Sequence, residues 1–166
     1  YEAVRARVAR FIGASDPAEI IFTSGTTASI NLAAYGWGRR HLKRGDIIVT
    51  SDMEHHSNIV PWQRLRDGVG AELYFLPIDE NYRLDYRAAA GLDMDRVKLI
   101  ALAHASNVLG TVNPVAEIAD TLSPESEREL LQRAQAGNED AFGTLMRTHY
   151  EPTFRLIHSI IRDEHA

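Results

Sequence analysis

Two adjacent histidines, His55 and His56, stand between an acid and a serine in "SDMEHHSNIVPWQ", residues 51–63. Imidazoles there could ligate a metal, relay a proton, lie against a flat cofactor or close a capped loop. Side chains at neighbouring positions project in different directions, so a pair at i and i+1 rarely reaches one ion. No third ligand follows at a zinc-like spacing. The pattern therefore speaks against a metal and suits one imidazole lying flat on an aromatic ring. Pro61 and Trp62 read as helix initiation and packing. Glu54 has two uses open to it, an orienter of the histidine or a solvated cap.

Two further polar clusters could do chemistry. In "SGTTASIN", Ser24 to Asn31, Gly25 permits close backbone approach. Thr26 and Thr27 set hydroxyls beside the free N–H groups of a starting helix, whose dipole favours an anion such as phosphate. The lysine and spacing of a P-loop are absent. A Ser/Thr-capped helix after a tight turn explains the same residues without a ligand. In "SNVLGTVNP", Ser106 to Pro114, Asn107 offers an amide to a ligand oxygen. An Asn-built turn with Gly110 and Pro114 is the alternative.

All three clusters follow apolar, β-rich runs. "EIIFT" (Glu19–Thr23), "DIIVTS" (Asp46–Ser51), "AELYFLPI" (Ala71–Ile78) and "KLIALAHA" (Lys98–Ala105) read as strands buried on both faces. Helical patterns lie between them at Thr26–Arg40, Asn58–Asp67 and Leu84–Leu92, after an amphipathic N-terminal "YEAVRARVARFIG". This rhythm predicts an α/β fold with a mostly parallel sheet and helices on both sides. Ligands of such sheets bind outside the carboxyl ends of the strands. Three clusters at three such ends favour one convergent site.

The chain has 166 residues, 45% hydrophobic and 25% charged, with a formal net charge of −5. That balance argues against a surface tracking DNA or RNA. No apolar run approaches the roughly 20 residues of a membrane span. Cys is absent, which removes disulfides, thiolate metal sites and thiol catalysis together. The cytoplasm is the expected compartment. The chain does not begin with Met, so the expectation is a start within a longer gene or a processed product.

"EIIFTSGTTASINLAAYGWG", "GDIIVTSDMEHHSNIVPWQRL" and "HASNVLGTVNPVAEIAD" together resemble the class V, fold-type I aminotransferase-like family. The nearest branch is the cysteine desulfurase and selenocysteine lyase group that serves iron–sulfur cluster assembly. The resemblance covers residues 1–120. It implies part of the large domain of a transferase that uses pyridoxal 5′-phosphate (PLP). Carried over residue by residue, it implies that Thr26 and Thr27 bind the phosphate and that His55 stacks on the pyridine ring. Asn107 would stand near the phenolic oxygen, and His56 would support His55 or face the substrate entrance. The implied parent reaction moves sulfur from L-cysteine to an acceptor thiol and leaves L-alanine. Family members are homodimers, which leaves room for a homodimer or a complementing half.

The departures matter as much. PLP chemistry of this kind needs a Schiff-base lysine and an acid beside the pyridine nitrogen. Lys43 and Lys98 are the two lysines, and neither stands in the family's Ser-His-Lys setting. The catalytic cysteine and the arginine for the substrate carboxylate are missing too. The expectation is a truncated domain that binds PLP weakly, without a covalent bond, and is inactive alone.

Beyond Thr121 the strand signals vanish. Ser123 and Pro124 read as the start of a helix that Gly137 ends, and Phe142, Leu145, Met146, Phe154, Ile157 and Ile161 form an apolar stripe after it. Residues 121–166 resemble the beginning of region two in extracytoplasmic-function sigma factors, stopping before the helix that grips core RNA polymerase. A transcription-initiation module that contacts core RNA polymerase is the alternative reading. Eight acids against five arginines over residues 123–166 leave no basic face for DNA. On this reading the chain is a chimera with a seam near 120–123, or an accidental gene fusion without selected activity.

Overall fold

The computed structural model describes residues 1–123. The expected helices, caps and apolar stripe of residues 124–166 lie outside the described residues. Three parallel strands form the sheet: β1 (Ile47–Ser51), β2 (Glu72–Leu76) and β3 (Val97–Ile100), in the order β2-β1-β3. β1 is central and buried throughout, as its unbroken apolar run requires. Alternation then divides its side chains between two cores. Ile48 packs with Trp62 and Leu65, whereas Ile47 and Val49 pack with Leu76, Ile118 and Leu122. Each fully buried aliphatic side chain contributes roughly 1.5–3 kcal/mol.

The first core is covered by one helical stretch and a second helix. The stretch comprises α2 (Thr26–Leu32), a π-helical segment at Ala33–Gly38 and α3 (Arg39–His41). It matches the helix expected at Thr26–Arg40 almost end to end. The second helix is α4 (Val60–Val69), with Pro61 in its first turn and Gly70 ending it at φ 76°. The other core lies under a 3₁₀ segment at Tyr86–Gly91 and α5 (Val115–Leu122). The hydroxyl of Tyr86 donates to the carboxylate of Glu117, joining those two elements. The parallel sheet with helices on both faces is the expected α/β architecture.

Several sequence expectations need correction. Glu19–Thr23 is not a strand: Pro17–Glu19 is a 3₁₀ turn, and among the described residues no strand pairs with residues 20–23. Ile20 is buried, while Ile21 and Phe22 are 53% and 40% exposed. An apolar run becomes a buried strand only where a neighbour takes up its backbone groups. The strand expected to reach Ala105 ends at Ile100, although the Ala101 N–H still donates to the Val49 carbonyl at 2.8 Å. Leu84–Leu92 forms 3₁₀ turns rather than an α-helix. The N-terminal pattern does form a helix, α1 (Glu2–Ile12), closed by Gly13 at φ 74°. α5 went unread in the sequence. Ser123 sits at its C-cap and donates from its hydroxyl back to the Ala119 carbonyl at 2.7 Å.

Gly38 and Gly36 give a paired test of this packing. A Cβ on Gly38 would lie 2.4 Å from Cδ2 of Leu65, a side chain buried between α4 and the sheet. A Cβ on Gly36 meets nothing within 4 Å. Gly38→Ala is therefore expected to destabilise the fold by about 1–3 kcal/mol through overpacking. Gly36→Ala should stabilise it by up to about 1 kcal/mol, because alanine is the better helix former. Urea denaturation of both variants reads the two signs. A stabilised Gly38→Ala would show that the Ala33–Gly38 segment and α4 do not meet as closely as described.

Candidate functional site

The carboxyl ends of β1 and β3 and the start of α2 surround one cleft of about 390 Å³. Thr26, Thr27, His55 and Asn107, drawn from three separate stretches of sequence, all line it. Ser24, Gly25, Glu54, Ser57, Asn58, Trp62 and Ser106 line it as well, and His56 does not. A volume of this size suits a small cofactor or metabolite.

The first wall is the turn into α2. Gly25 has φ 146° and ψ 174°, a combination open to glycine and strained for other residues. The space where its Cβ would be is empty. Behind it, the Thr23 hydroxyl bonds the Ser29 hydroxyl at 2.6 Å, which pins the turn to the first turn of the helix. The leading N–H groups of a helix have no partner within it. Among the described residues the hydroxyls of Thr26 and Thr27 hold no hydrogen bond. Donors without acceptors at the positive end of a helix make an anion cradle.

The second wall is the loop after β1. His55 caps the 3₁₀ segment His56–Asn58: its Nδ1 accepts from the Ser57 N–H at 3.2 Å. The same Nδ1 lies 2.9 Å from the Ser57 hydroxyl, a second tie to that residue. The ring is exposed toward the cleft and fixed at its base. The two histidine rings stand 6.1 Å apart at 65°, not as a chelating pair. No group of three or more metal-ligating side chains occurs among the described residues.

Glu54 is the residue that sequence reasoning undervalued. It is no solvated cap. Its Oε1 accepts from the Ser51 hydroxyl at 2.9 Å and from the Ala103 N–H at 2.7 Å. Its Oε2 accepts from Asn58 Nδ2 at 2.7 Å. Asn58 Oδ1 in turn accepts from the indole N–H of Trp62 at 2.9 Å. Burial pushes the Glu54 carboxyl above its ordinary pKa by disfavouring the charge, and the bonds from Ala103, Asn58 and Ser51 pull it back in part. Trp62 packs as expected, 1% exposed, and also anchors this chain of bonds.

The third wall follows β3. Ser106 Oγ accepts from the N–H groups of Val108 and Leu109, at 3.3 and 3.1 Å, and its N–H donates to the Thr111 carbonyl. The resulting turn displays Asn107 with its amide unbonded among the described residues. Buried Asn113 ties the turn down by donating to the Ala103 carbonyl at 2.8 Å. The expected Asn-built turn is thus built by Ser106, which leaves the Asn107 amide available to a ligand.

No helix among the described residues is long and apolar enough to cross a membrane.

Comparison with known proteins bears on this arrangement directly. The family model described as aminotransferase class-V matches residues 1–128. The chain is 47% identical over 135 residues to a cysteine desulfurase of Cronobacter sakazakii, covering 81% of this chain and 33% of that protein. It is 47% identical over 121 residues to a cysteine desulfurase of Haloferax volcanii, covering 72% and 28%. Among solved structures, an apo cysteine desulfurase of Thermococcus onnurineus superimposes with a TM-score of 0.66 at 43% identity, over 74% of this chain and 30% of that one. The cysteine desulfurase CsdA of Escherichia coli gives the same TM-score at 37% identity, over 71% and 30%. The chain spans about a third of the length of the curated relatives it matches. With the matched sequence, the parallel sheet and the strand-end cleft in agreement, the chain belongs to the class-V aminotransferase family.

Proposed function

We propose that this chain forms the phosphate-and-ring half of the PLP site of a cysteine desulfurase. The observation that carries the reading is the meeting of Thr26, Thr27, His55 and Asn107 around one cleft. The residues present fit the cofactor on one side. Its phosphate suits the cradle at Gly25–Thr27, where open space, free donors and a helix start coincide. Its flat ring suits the exposed face of His55, and its phenolic oxygen suits the Asn107 amide. When bound, PLP supplies the electron sink for bond cleavage at the substrate carbon. The chain's own residues bind, orient and shield; none of them offers a thiol, and neither lysine lines the cleft.

A site so divided needs completion. The tethering lysine and the sulfur-accepting thiol would come from elsewhere in the assembly, supplied by a complementing desulfurase half. The proposed parent activity is sulfur transfer from L-cysteine for iron–sulfur cluster assembly.

Titration of the purified chain with PLP, followed by absorbance and by quenching of Trp62, tests the reading. Saturable 1:1 binding is expected, with no covalent pyridoxyl group after borohydride reduction. Thr26→Ala with Thr27→Ala should weaken binding about a hundredfold or more, since each hydrogen bond to a charged group contributes about 1.5–3 kcal/mol. Stoichiometric reduction onto Lys98 would show that the site lies elsewhere, and binding unchanged by the double substitution would remove the cradle from the proposal.

A further inference from the structure

We propose that Glu54 is a positioning residue whose two acceptor oxygens set the direction of a hydrogen-bond chain and thereby fix His55 in the cleft. The inference rests on the PLP reading for its ligand, while the chain of bonds stands on the geometry of this protein.

The direction is forced from both ends. The Trp62 indole can only donate, so Asn58 must turn its oxygen toward it. The Asn58 amide nitrogen then faces Glu54 and can only donate as well. The Ala103 N–H, arriving from the end of β3, is a third group that can only donate. Position 54 must therefore accept on both oxygens, which a carboxylate does and an amide cannot. The bonded neighbours are buried: Ser51 is 0%, Trp62 1% and Asn58 8% exposed, while Glu54 itself is half-buried at the cleft wall. A donor left without an acceptor there keeps the full cost of its desolvation.

The geometric consequence falls on His55. The bond from Asn58 to Glu54 spans four residues and closes a small loop over His55, His56 and Ser57. Within that loop Ser57 N–H holds Nδ1 of His55. The bonds to Ser51 and Ala103 fasten the loop's first residue to the ends of β1 and β3. One carboxylate thus joins two strand ends to the histidine loop. His55 keeps its place because Glu54 keeps its own.

Substitution separates this role from charge. In Glu54→Gln the new amide must present its NH₂ either to Asn58 or to the donors at Ser51 and Ala103. Turning Asn58 over merely transfers the conflict to Trp62. One donor stays unsatisfied in every arrangement. The double variant E54Q/N58D repairs it. The new amide at position 54 donates to the new carboxylate at position 58, which also accepts from Trp62, and the net charge is that of the native chain. Charge alone predicts the opposite for E54Q, since removing a negative group beside an anion cradle should tighten PLP binding.

The experiment measures PLP dissociation constants for the native chain, E54Q and E54Q/N58D. It also records the indole N–H resonance of Trp62, told from Trp37 by Trp37→Phe, and the ring resonances of His55. PLP binding to E54Q should weaken about tenfold and return to within about threefold of native in the double variant. The Trp62 and His55 resonances should move in E54Q and return in the double variant. Native or tighter binding by E54Q, or a double variant no better than E54Q, overturns the proposal. If E54Q does not fold, a folded double variant with near-native affinity supports it and an unfolded one overturns it. If the native chain binds no PLP, the functional reading falls, and the resonances alone decide the role of Glu54.

Discussion

Supplied with PLP and L-cysteine, the purified chain is expected to release no more alanine or sulfide than free PLP in the same buffer. Sulfur leaves cysteine for a nucleophile that can carry a persulfide, and among side chains thiolate does this. The sequence contains no cysteine. The second loss is the lysine. Lys98 is exposed on β3 and Lys43 is exposed in the turn before β1; neither lines the cleft. A lysine in that role tethers the cofactor and then serves as the base that moves protons. Breaking a catalytic unit of this kind typically costs several orders of magnitude in rate. Either defect alone would bring the chain near background, and both are present. Selenocysteine is the more permissive substrate, because selenium can leave without an acceptor thiol, so it belongs in the same assay. Sustained turnover of either substrate by the chain alone would mean that the chemistry needs no thiol and that Lys43, Lys98 or another residue of this chain supplies the base. Restored turnover on adding a complementing desulfurase half would instead support the divided site.

The parts of the site that the sequence revealed are those fixed by local chemistry. A glycine followed by two threonines and a helical period marks a helix start, and α2 begins there, at the wall of the cleft. A histidine a few residues beyond an apolar strand must sit near the strand's carboxyl end, and His55 does. What stayed hidden depends on distant partners. Glu54 reads alike as a solvated cap or a buried acceptor until Ala103, 49 residues away, is seen to donate to it. Glu19–Thr23 has strand composition, and only the lack of a pairing neighbour among the described residues makes it a connector. α5 is short and follows a proline-bearing turn; its helical character shows once Ile118 and Leu122 are placed against the sheet. The π-helical segment Ala33–Gly38 has no local signature at all, since alanines, aromatics and glycines there are compatible with an ordinary helix.

Trp62→Ala should be the most damaging single substitution to the fold, and comparison with Trp62→Phe shows why. The side chain is among the largest fully buried groups, packed with Ile30, Ala34, Ile48 and Leu65 between the helices and the sheet. Truncating a buried Trp to Ala typically costs about 3–5 kcal/mol through lost transfer energy and the cavity left behind. Native proteins are typically stable by about 5–15 kcal/mol, so the change consumes a large share of what holds the chain folded. Trp62→Phe keeps most of the apolar volume and removes the indole N–H. Asn58 Oδ1 then loses its donor in a dry setting, at an expected cost of about 1–3 kcal/mol. The two substitutions therefore separate packing from the polar chain that reaches Glu54. Urea denaturation gives the stability change, and PLP titration of the folded Phe variant gives the site's response. The Phe variant should lose PLP affinity beyond what its stability loss implies, because Asn58, which closes the His55 loop onto Glu54, loses the second of its two side-chain anchors. A Phe variant that binds PLP as the native chain does would confine Trp62 to the core, and a Trp62→Ala variant of native stability would contradict the packing itself.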